Sequence, residues 1–540
     1  MADSNPSLEP LGAVMPSFTS LAVDSDAHQP SMAESPLDRI PSEMLAEIFM
    51  WCLPLYPIPK PSQPPFALTT VCRHWRQTAI DTPLLWRSLS IYVPLKPLSD
   101  ATVSRRLATI KLWIERSGIL PLQLSLRGDI GYWAGADGQL KERPTKDIGS
   151  FIQSLLPFSD RIQDLYLSLG REDFATFISH SPSMYPALTS LRLHEVNGGS
   201  GIAAILQGST PNNGESIYAP LLARAPVLKV LRVDNGMENT HFHRLPCNWA
   251  SLTEICVNFY FTPSDLFDGI LTKSRQLQSL AIKVLLHEFS GSRIPAVTLS
   301  HLSNLRLTFD MHLGKAEQMS VFMSRLSCPS LKSLSITLLR TTNAPIIPFS
   351  GSPFHTLETL ALEVPMAPET FRECLMNCPN ISILRLVDLG SGTSGSTTLQ
   401  ESHLSQLTLS TTNPWSLCPR LEHLYYIDAT GPTRARGHTT WSTSAFTNFV
   451  IARSKQKVFK SCDMFCPDKR PFSETEIRSL RMAKEGGLKL HLHHAHLSSS
   501  QQRSPSALFR MNQGMNRSTR GYWPNSLSDL ERSFDTVTIV

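Results

Sequence analysis

The residues with the clearest metal-binding chemistry lie near the C-terminal end of the sequence. They are Cys462, Cys466, His491, His493, His494 and His496. Imidazole and thiolate are ligands that zinc prefers. Their spacing matches no known zinc finger, and in a strand the first two histidines would face away from the last two. We therefore predict a metal-free polar strand end, with a zinc site as the alternative.

A glycine motif of the form G-x-G-x-x-G stands at residues 390–395, after the strand-like stretch ISILRLVDL. A dinucleotide site would need a crossover helix of a dozen or more residues after these glycines. The next predicted strand starts at Leu404, nine residues after Gly395. We therefore predict a loop between repeats and no cofactor. Since the HExxH, GxSxG, Walker and kinase motifs are absent from the sequence, we name no catalytic residue and predict a protein that is not an enzyme.

Composition points to a globular protein. The 540 residues are 41% hydrophobic and 18% charged, and include 40 prolines. There is neither an apolar run long enough to span a membrane nor a signal peptide pattern at the start, so we predict a cytoplasmic or nuclear location, reduced cysteines and no membrane contact. Residues 431–540 contain 17 Lys and Arg against 8 Asp and Glu. We interpret that excess as a solvated face rather than a nucleic-acid site, because no aromatic-rich motif accompanies it.

Two amphipathic helices are predicted near the beginning of the chain. One spans RIPSEMLAEIFMWCLP, begins near Pro41 and ends before Pro54. In the other, apolar residues recur with helical spacing from Leu68 to Ala79. Pro83 ends this helix near residue 80 or 81, and Leu-Leu-Trp at 84–86 folds back on it. A unit of about 50 residues is close to the lower size limit for independent folding, so it needs a neighbour.

These positions resemble the F-box, in the form common among fungal F-box-like proteins. The resemblance lies in Ile40-Pro41-x-Glu43-Met44, Ile48-Phe49, Leu53-Pro54, Val71-Cys72-Arg73-x-Trp75-Arg76, Ala79 and Leu85-Trp86. It implies that the module binds a Skp-type adaptor and, through it, a cullin ubiquitin ligase. The adaptor-binding residues that it implies are Ile40, Pro41, Met44, Leu45, Ile48, Phe49, Leu53, Pro54, Val71, Trp75, Leu85 and Trp86.

Most of these twelve side chains are expected in the core, and only Ile40, Pro41 and part of the first helix are expected to touch the adaptor directly. A Pro-rich insertion, YPIPKPSQPP, stands where the common F-box has a short loop near the adaptor. The alternative interpretation of residues 36–90 is a helical hairpin that only caps the repeats on its C-terminal side.

An L-x-x-L-x-L pattern dominates the rest of the chain. Of the ten intervals between successive repeats, eight are 23 to 29 residues long. Its first apolar positions are Ile162, Leu188, Leu228, Leu252, Leu277, Leu302, Leu331, Leu357, Ile381, Leu404 and Leu421. This period resembles that of leucine-rich repeats, in which each unit buries its leucines only by stacking on the next. The resemblance predicts an α/β solenoid with a parallel sheet on its concave face.

The predicted organisation has four parts. Residues 1–34 form a disordered tail, 36–90 the F-box-like domain, 91–497 the solenoid with a C-terminal cap, and 498–540 a second disordered tail. Strands are already expected at 88–93 and 121–126, and a Gly-, Ser- and Asn-rich mobile loop after residue 196. The last residues, Thr538 to Val540, are a weak match to a PDZ ligand, and we favour an unstructured tail.

Within each repeat, the residue between the last two apolar positions points away from the core, because side chains alternate along a strand. Six such residues are arginine or tyrosine, which are frequent in binding hot spots. We predict that they bind an extended acidic segment of a target protein: Tyr166, Arg192, Arg232, Arg306, Arg385 and Tyr425. The predicted function is target recognition for a Skp/cullin-type ubiquitin ligase. The alternatives are an interaction scaffold outside the ubiquitin system and, third, a metal protein or enzyme.

Overall fold

A computed structural model of the chain describes most of residues 40–538. The residues outside the description are 1–39, 55, 95–97, 129–131, 135–139, 143–145, 196–217, 235–241, 287–293, 311–315, 340–353, 365–367, 389–398, 409–416, 429–440, 467–471, 495–536 and 539–540. Both predicted tails, the glycine motif and the Gly-rich loop lie almost entirely outside the described residues. Within the described part, no helix has the length and apolar character that crossing a membrane requires.

The first described unit, which we call the helical module, consists of residues 40–86. Helix α1 spans Ser42–Cys52 and helix α2 spans Arg73–Ile80. Pro41 caps α1, and the helix ends before Pro54 as predicted. The second helix starts later than its periodicity indicates, because the Cys72 backbone is extended and its sulfur accepts a hydrogen bond from the Trp75 amide at 3.4 Å. Leu68 therefore lies in a separate 3-10 turn.

The predicted fold-back after α2 is confirmed. Pro83–Trp86 forms a 3-10 turn in which Leu85 and Trp86 are buried. The Trp86 indole donates a hydrogen bond to the Ala79 carbonyl at 2.8 Å, which ties the turn to α2. Its ring also packs edge-on against Trp113, with ring centroids 5.2 Å apart. Because Trp113 follows the first strand of the main sheet, the module and the sheet share one core.

The strands form one 15-stranded sheet and two small two-stranded pairs. Their bounds are β1 Ser88–Val93, β2 Leu122–Gly128, β3 Tyr132–Ala134, β4 Leu140–Glu142, β5 Ile162–Leu169, β6 Ser190–Glu195, β7 Val230–Asp234, β8 Glu254–Phe261, β9 Ser279–Leu285, β10 Val297–Thr298, β11 Asn304–Asp310, β12 Leu326–Ser327, β13 Ser333–Leu339, β14 Thr359–Glu363, β15 Ile383–Asp388, β16 His423–Asp428, β17 Ser461–Cys466, β18 Lys489–His494 and β19 Val537–Thr538.

Strands of the large sheet are hydrogen-bonded in the order in which they occur along the chain, except that the small pairs β3–β4 and β10–β12 stand apart. Every neighbouring pair is parallel except β18 and β19, which are antiparallel. Parallel neighbours need crossover connections, and helices supply many of them. The later helices are α3 Asp100–Arg116, α4 Lys146–Leu155, α5 Arg171–His180, α6 Ala219–Ala223, α7 Pro263–Leu266, α8 Ala316–Ser324, α9 Pro368–Met376, α10 Glu401–Leu407, α11 Thr443–Ser454 and α12 Glu474–Glu485. The chain is thus an α/β protein with a large parallel sheet, compatible with an α/β solenoid.

The repeat pattern locates the core correctly. Its leading apolar residues, apart from Leu404, each stand at or just before a strand and are at most 4% exposed. The strand leucines that come after them pack with apolar residues of the helices in one continuous core. The strands predicted at 88–93 and 121–126 are β1 and β2.

Leu404 is the exception, and the prediction of a strand there is wrong. It lies in α10, where the buried residues His403, Leu404 and Leu407 have helical spacing. Gln400 and His403 form a capping box that starts this helix. The strand after β15 is therefore β16, which begins at His423, so the short spacing that argued against a crossover after the glycine motif does not exist.

Candidate functional site

The predicted target-binding residues share one row of the large sheet. The pairing register places one residue of each parallel strand in this central polar row, on the face opposite the core leucines. Its members are Ser90, Ser125, Tyr166, Arg192, Arg232, Cys256, Ala281, Arg306, Ser335, Ala361, Arg385, Tyr425, Asp463 and His491. The repeat predicted to start at Leu404 would contribute Thr408 to this row, but Thr408 is absent from it, because it follows α10 as its C-terminal cap.

At the β1 end of the row, a tyrosine from the helical module lies on the sheet. The Tyr56 hydroxyl accepts a hydrogen bond from Arg192 Nη1 at 2.9 Å. Its ring lies 5.9 Å from the ring of Tyr166, and the Arg192 guanidinium carbon lies 5.4 Å from the Tyr166 ring centre. The adjacent Pro57 carbonyl accepts a hydrogen bond of 2.8 Å from the Ser90 amide of β1.

Tyr56 and Pro57 belong to the Pro-rich insertion, which the family resemblance associates with the adaptor side. The structure instead places these two residues against the sheet. No local pattern in YPIPKPSQPP indicates this position, because both contacts join residues that are distant in sequence.

Carboxylates surround the arginines at this end of the sheet. Burial raises the pKa of Asp164 and of Asp234, and nearby positive charges, Arg192 first for Asp164 and His194 first for Asp234, partly offset the effect. Arg232 forms a partly exposed ion pair with Glu254, with Nε and Oε1 2.7 Å apart. The charge of Arg232 is therefore already balanced within the chain. A partner carboxylate would have to compete with Glu254 for it.

The middle of the row carries small, buried side chains. Cys256, Ala281, Ser335 and Ala361 are all at most 9% exposed. Arg306 is half-buried between them. Arg192, Arg232, Arg385 and Tyr425 are half-buried like Arg306, whereas Tyr166 is only 9% exposed.

The other end of the row carries a second arginine and tyrosine pair. The Arg385 guanidinium lies 5.0 Å from the Tyr425 ring centre. Burial lowers the pKa of Arg385, and a hydrogen bond with Tyr425 opposes this effect. On the next two strands, Asp463 Oδ1 and His491 Nδ1 lie 2.9 Å apart. Alternation in SCDMFC and KLHLHH is the sequence signal that extends the row to these two residues.

One contact near this end has the composition of a nucleophile and base pair. His423 Nδ1 lies 2.8 Å from Ser461 Oγ, and its Nε2 lies 3.8 Å from Glu422. Burial lowers the pKa of His423. Ser461 is only 6% exposed, however, and the Glu422 carboxylate is bound 2.5 Å from Lys460 Nζ. The contact therefore joins two neighbouring strands and offers no accessible nucleophile.

The zinc alternative gains no support from the described geometry. Among the described residues, no three histidine, cysteine or acidic side chains converge as metal ligands would. His491 faces Asp463, and Cys462 is buried. The side chains of Cys466, His493, His494 and His496 lie outside the described residues.

The helical module has an exposed apolar ridge on α1, which we define as Met44, Ile48 and Trp51. These side chains are 60%, 44% and 83% exposed. Their spacing of four and three residues places them on one face of the helix. The adjacent face packs inward through Leu45 and Phe49. Trp51 was not among the residues that the resemblance implied, although helical spacing places it on the same face as Met44 and Ile48.

The structure divides the twelve predicted adaptor-binding residues into three groups. Four are buried and act only through packing: Leu45, Phe49, Leu85 and Trp86. Three are half-buried: Ile40, Leu53 and Trp75. Five are exposed: Pro41, Met44, Ile48, Pro54 and Val71. Only four of the twelve side chains thus lie fully in the core, fewer than expected, and on α1 Met44 and Ile48 are accessible to a partner.

A comparison of the chain with the models of known protein families found no match. A search of the curated proteins found none either. The features of the chain that bear on function are therefore its own two surfaces, the exposed ridge on α1 and the central polar row of the sheet.

Proposed function

We propose that this protein is the target-recognition subunit of a Skp/cullin-type ubiquitin ligase. In this proposal the helical module is an F-box that binds the adaptor, and the stacked sheet units are leucine-rich repeats that bind the target along the central polar row. Both assignments extend the resemblance seen in the sequence to surfaces that the fold leaves accessible.

The observation that carries the proposal is the exposed ridge on α1. A soluble protein keeps large apolar side chains in such a cluster mainly where another protein covers them. An apolar helix face with anchors at i, i+4 and i+7 is a common way for one protein to dock on another. The ridge begins next to Ile40 and Pro41, the dipeptide that opens the F-box resemblance.

The shared core of module and sheet also supports this function. Trp86 of the module packs against Trp113 of α3, and Phe66 packs against both rings at 5.4 and 5.3 Å. Such interlocked aromatic rings hold the two parts at a fixed angle. A ligase subunit needs this rigidity, because the target must stay at a set distance from the ubiquitin-carrying enzyme.

The first experiment tests the adaptor surface. We expect Ile48→Asp to weaken binding of a Skp-type adaptor at least tenfold, because it places a charge in the centre of an apolar contact. The matched control is Met482→Asp, which changes a 66% exposed methionine on α12, far along the chain. Affinity is measured with purified proteins by calorimetry. Equal adaptor binding by wild type and Ile48→Asp would remove the ridge from the interface.

A second variant tests the start of the module. Ile40→Ser combined with Pro41→Ala is expected to weaken adaptor binding while the sheet stays folded, because Pro41 is exposed and Ile40 only half-buried. Circular dichroism checks the fold and a pull-down measures the adaptor. Undiminished capture of adaptor by the folded double variant would contradict direct contact at these two residues.

The target surface is tested by removing three arginines of the row together, Arg232, Arg306 and Arg385, each to Ala. With strands about 4.8 Å apart, the last two lie roughly 15 Å from each other, which suits an extended acidic segment better than one phosphate. We expect loss of bound targets and a weaker salt dependence of those that remain, as identified by mass spectrometry at two salt concentrations. Retention of the same partners with unchanged salt dependence would move recognition to the loops.

A further inference from the structure

The contact of Tyr56 with the sheet has the features of a ligand in a binding site. The Tyr56 ring packs at a tilt beside Tyr166, its hydroxyl accepts a hydrogen bond from Arg192, and the Pro57 carbonyl accepts one from the Ser90 amide of β1. Side-chain recognition combined with main-chain pairing at a sheet edge is how many proteins bind extended peptides. β1 is the edge strand of the 15-stranded sheet.

The contact with Tyr56 uses only part of the hydrogen-bonding capacity of Arg192. A guanidinium has five N–H donors, and within the described residues only Nη1 donates a hydrogen bond, to the uncharged phenol. Among the described residues Arg192 forms no ion pair, although the charges of Asp164 and Asp234 interact with it. The arginine therefore offers the same donors to any other tyrosine hydroxyl that reaches this position.

The segment around Tyr56 is poorly suited to hold the sheet edge permanently. Pro54, Pro57 and Pro59 lack the N–H group that a strand donates to its neighbour. Among its described residues, the segment makes one main-chain hydrogen bond to β1, accepted from the Ser90 amide. A segment without these prolines can make the same tyrosine contact and also donate hydrogen bonds to the edge.

We infer that the Tyr166 and Arg192 site binds a tyrosine of an extended, proline-free segment of the target protein, and that Tyr56 fills the site when no target is bound. The inference rests on the proposed use of this sheet face for target binding. When a tyrosine of the target replaces Tyr56, the contacts with Tyr166 and Arg192 are preserved. The target segment binds in preference because it also makes main-chain hydrogen bonds to β1. Tyr56 acts as a competitor at the millimolar effective concentration typical of a short tether.

The test uses the full-length protein and the heptapeptide TLYTITK, which is residues 54–60 with the three prolines replaced by threonine. The peptide carries 3-fluorotyrosine, and fluorine NMR follows its binding. We expect Tyr56→Ala to bind it at least tenfold more tightly than wild type, because the competitor is gone. Tyr56→Phe keeps the ring but loses the hydrogen bond to Arg192, and its affinity is expected to fall between the two.

Two controls identify the site. The peptide TLATITK is expected not to bind, and adding Arg192→Gln to Tyr56→Ala is expected to weaken TLYTITK binding at least fivefold. Equal peptide affinity for wild type and Tyr56→Ala, or no binding to Tyr56→Ala at millimolar peptide, would overturn the inference. Either result leaves the adaptor measurement with Ile48→Asp unaffected, so failure of this inference is distinct from failure of the proposed function.

Discussion

Replacing Arg453 with alanine is expected to destabilise the C-terminal units of the sheet by about 3 to 5 kcal/mol. Arg453 is only 1% exposed, and its guanidinium donates to the carbonyls of Leu407 at 2.7 Å, Leu417 at 2.7 Å and Cys418 at 2.9 Å. Alanine leaves all three buried acceptors without that partner. Each such loss costs about 1 to 3 kcal/mol, partly offset because a buried charge also disappears.

Hydrogen exchange of the amides in α11 and β16 measures this effect locally. Arg478→Ala is the control, since it removes an exposed arginine from α12. A loss below about 1 kcal/mol in Arg453→Ala would mean that water or neighbouring groups satisfy the three carbonyls. Burial lowers the pKa of Arg453 to about 10, so the guanidinium stays protonated at neutral pH and the measurement reports the charged form.

The same arginine holds a strained turn. Cys418 has φ of 51°, in the left-handed region that side chains other than glycine seldom adopt. Its sulfur is buried, and its carbonyl is one of the three that Arg453 binds. The repeat pattern could not predict this contact, because it joins α11 to a segment 35 residues earlier that has no helical or strand periodicity.

The parts of the fold that could be predicted are those with a regular period. Leucine spacing located the strands and their buried faces because each unit must bury the same positions against its neighbours. The central polar row followed from strand alternation alone, and the pairing register confirms its membership except at Thr408. At that position the apolar spacing of SHLSQLTL is compatible with both a strand and a helix. The capping box at Gln400 favours the helix.

Contacts between segments distant in sequence could not be predicted. Tyr56 reaches Arg192 across 136 residues, and Arg232 pairs with Glu254 of the next strand. These contacts change the candidate site, because Arg192 and Arg232 already have partners within the chain, as Arg385 has in Tyr425. Alternation identified which residues face the same side, but it carries no information on which of them remain available to a target.

Two of the three tryptophans of the helical module, Trp51 and Trp86, separate stability from binding. Trp86 is fully buried, its indole donates to the Ala79 carbonyl, and Arg116 lies 4.5 Å from its ring centre. Trp86→Ala is therefore expected to cost about 3 to 5 kcal/mol. Trp51 is 83% exposed, so Trp51→Ala is expected to change stability by less than about 0.5 kcal/mol.

The substitutions Trp51→Ala and Trp86→Ala are expected to weaken adaptor binding for different reasons. Trp51→Ala is expected to weaken adaptor binding at least tenfold in a module that remains folded, because exposed tryptophans in an apolar contact are frequent hot spots. Trp86→Ala is expected to weaken it only in proportion to the fraction of module that unfolds, and cooling or a stabilising osmolyte should restore binding. Stability is followed by hydrogen exchange of α1 and α2, and affinity by calorimetry. A Trp51→Ala variant with full affinity would place the adaptor away from the C-terminal end of α1, and a Trp86→Ala variant as stable as wild type would contradict the shared aromatic core.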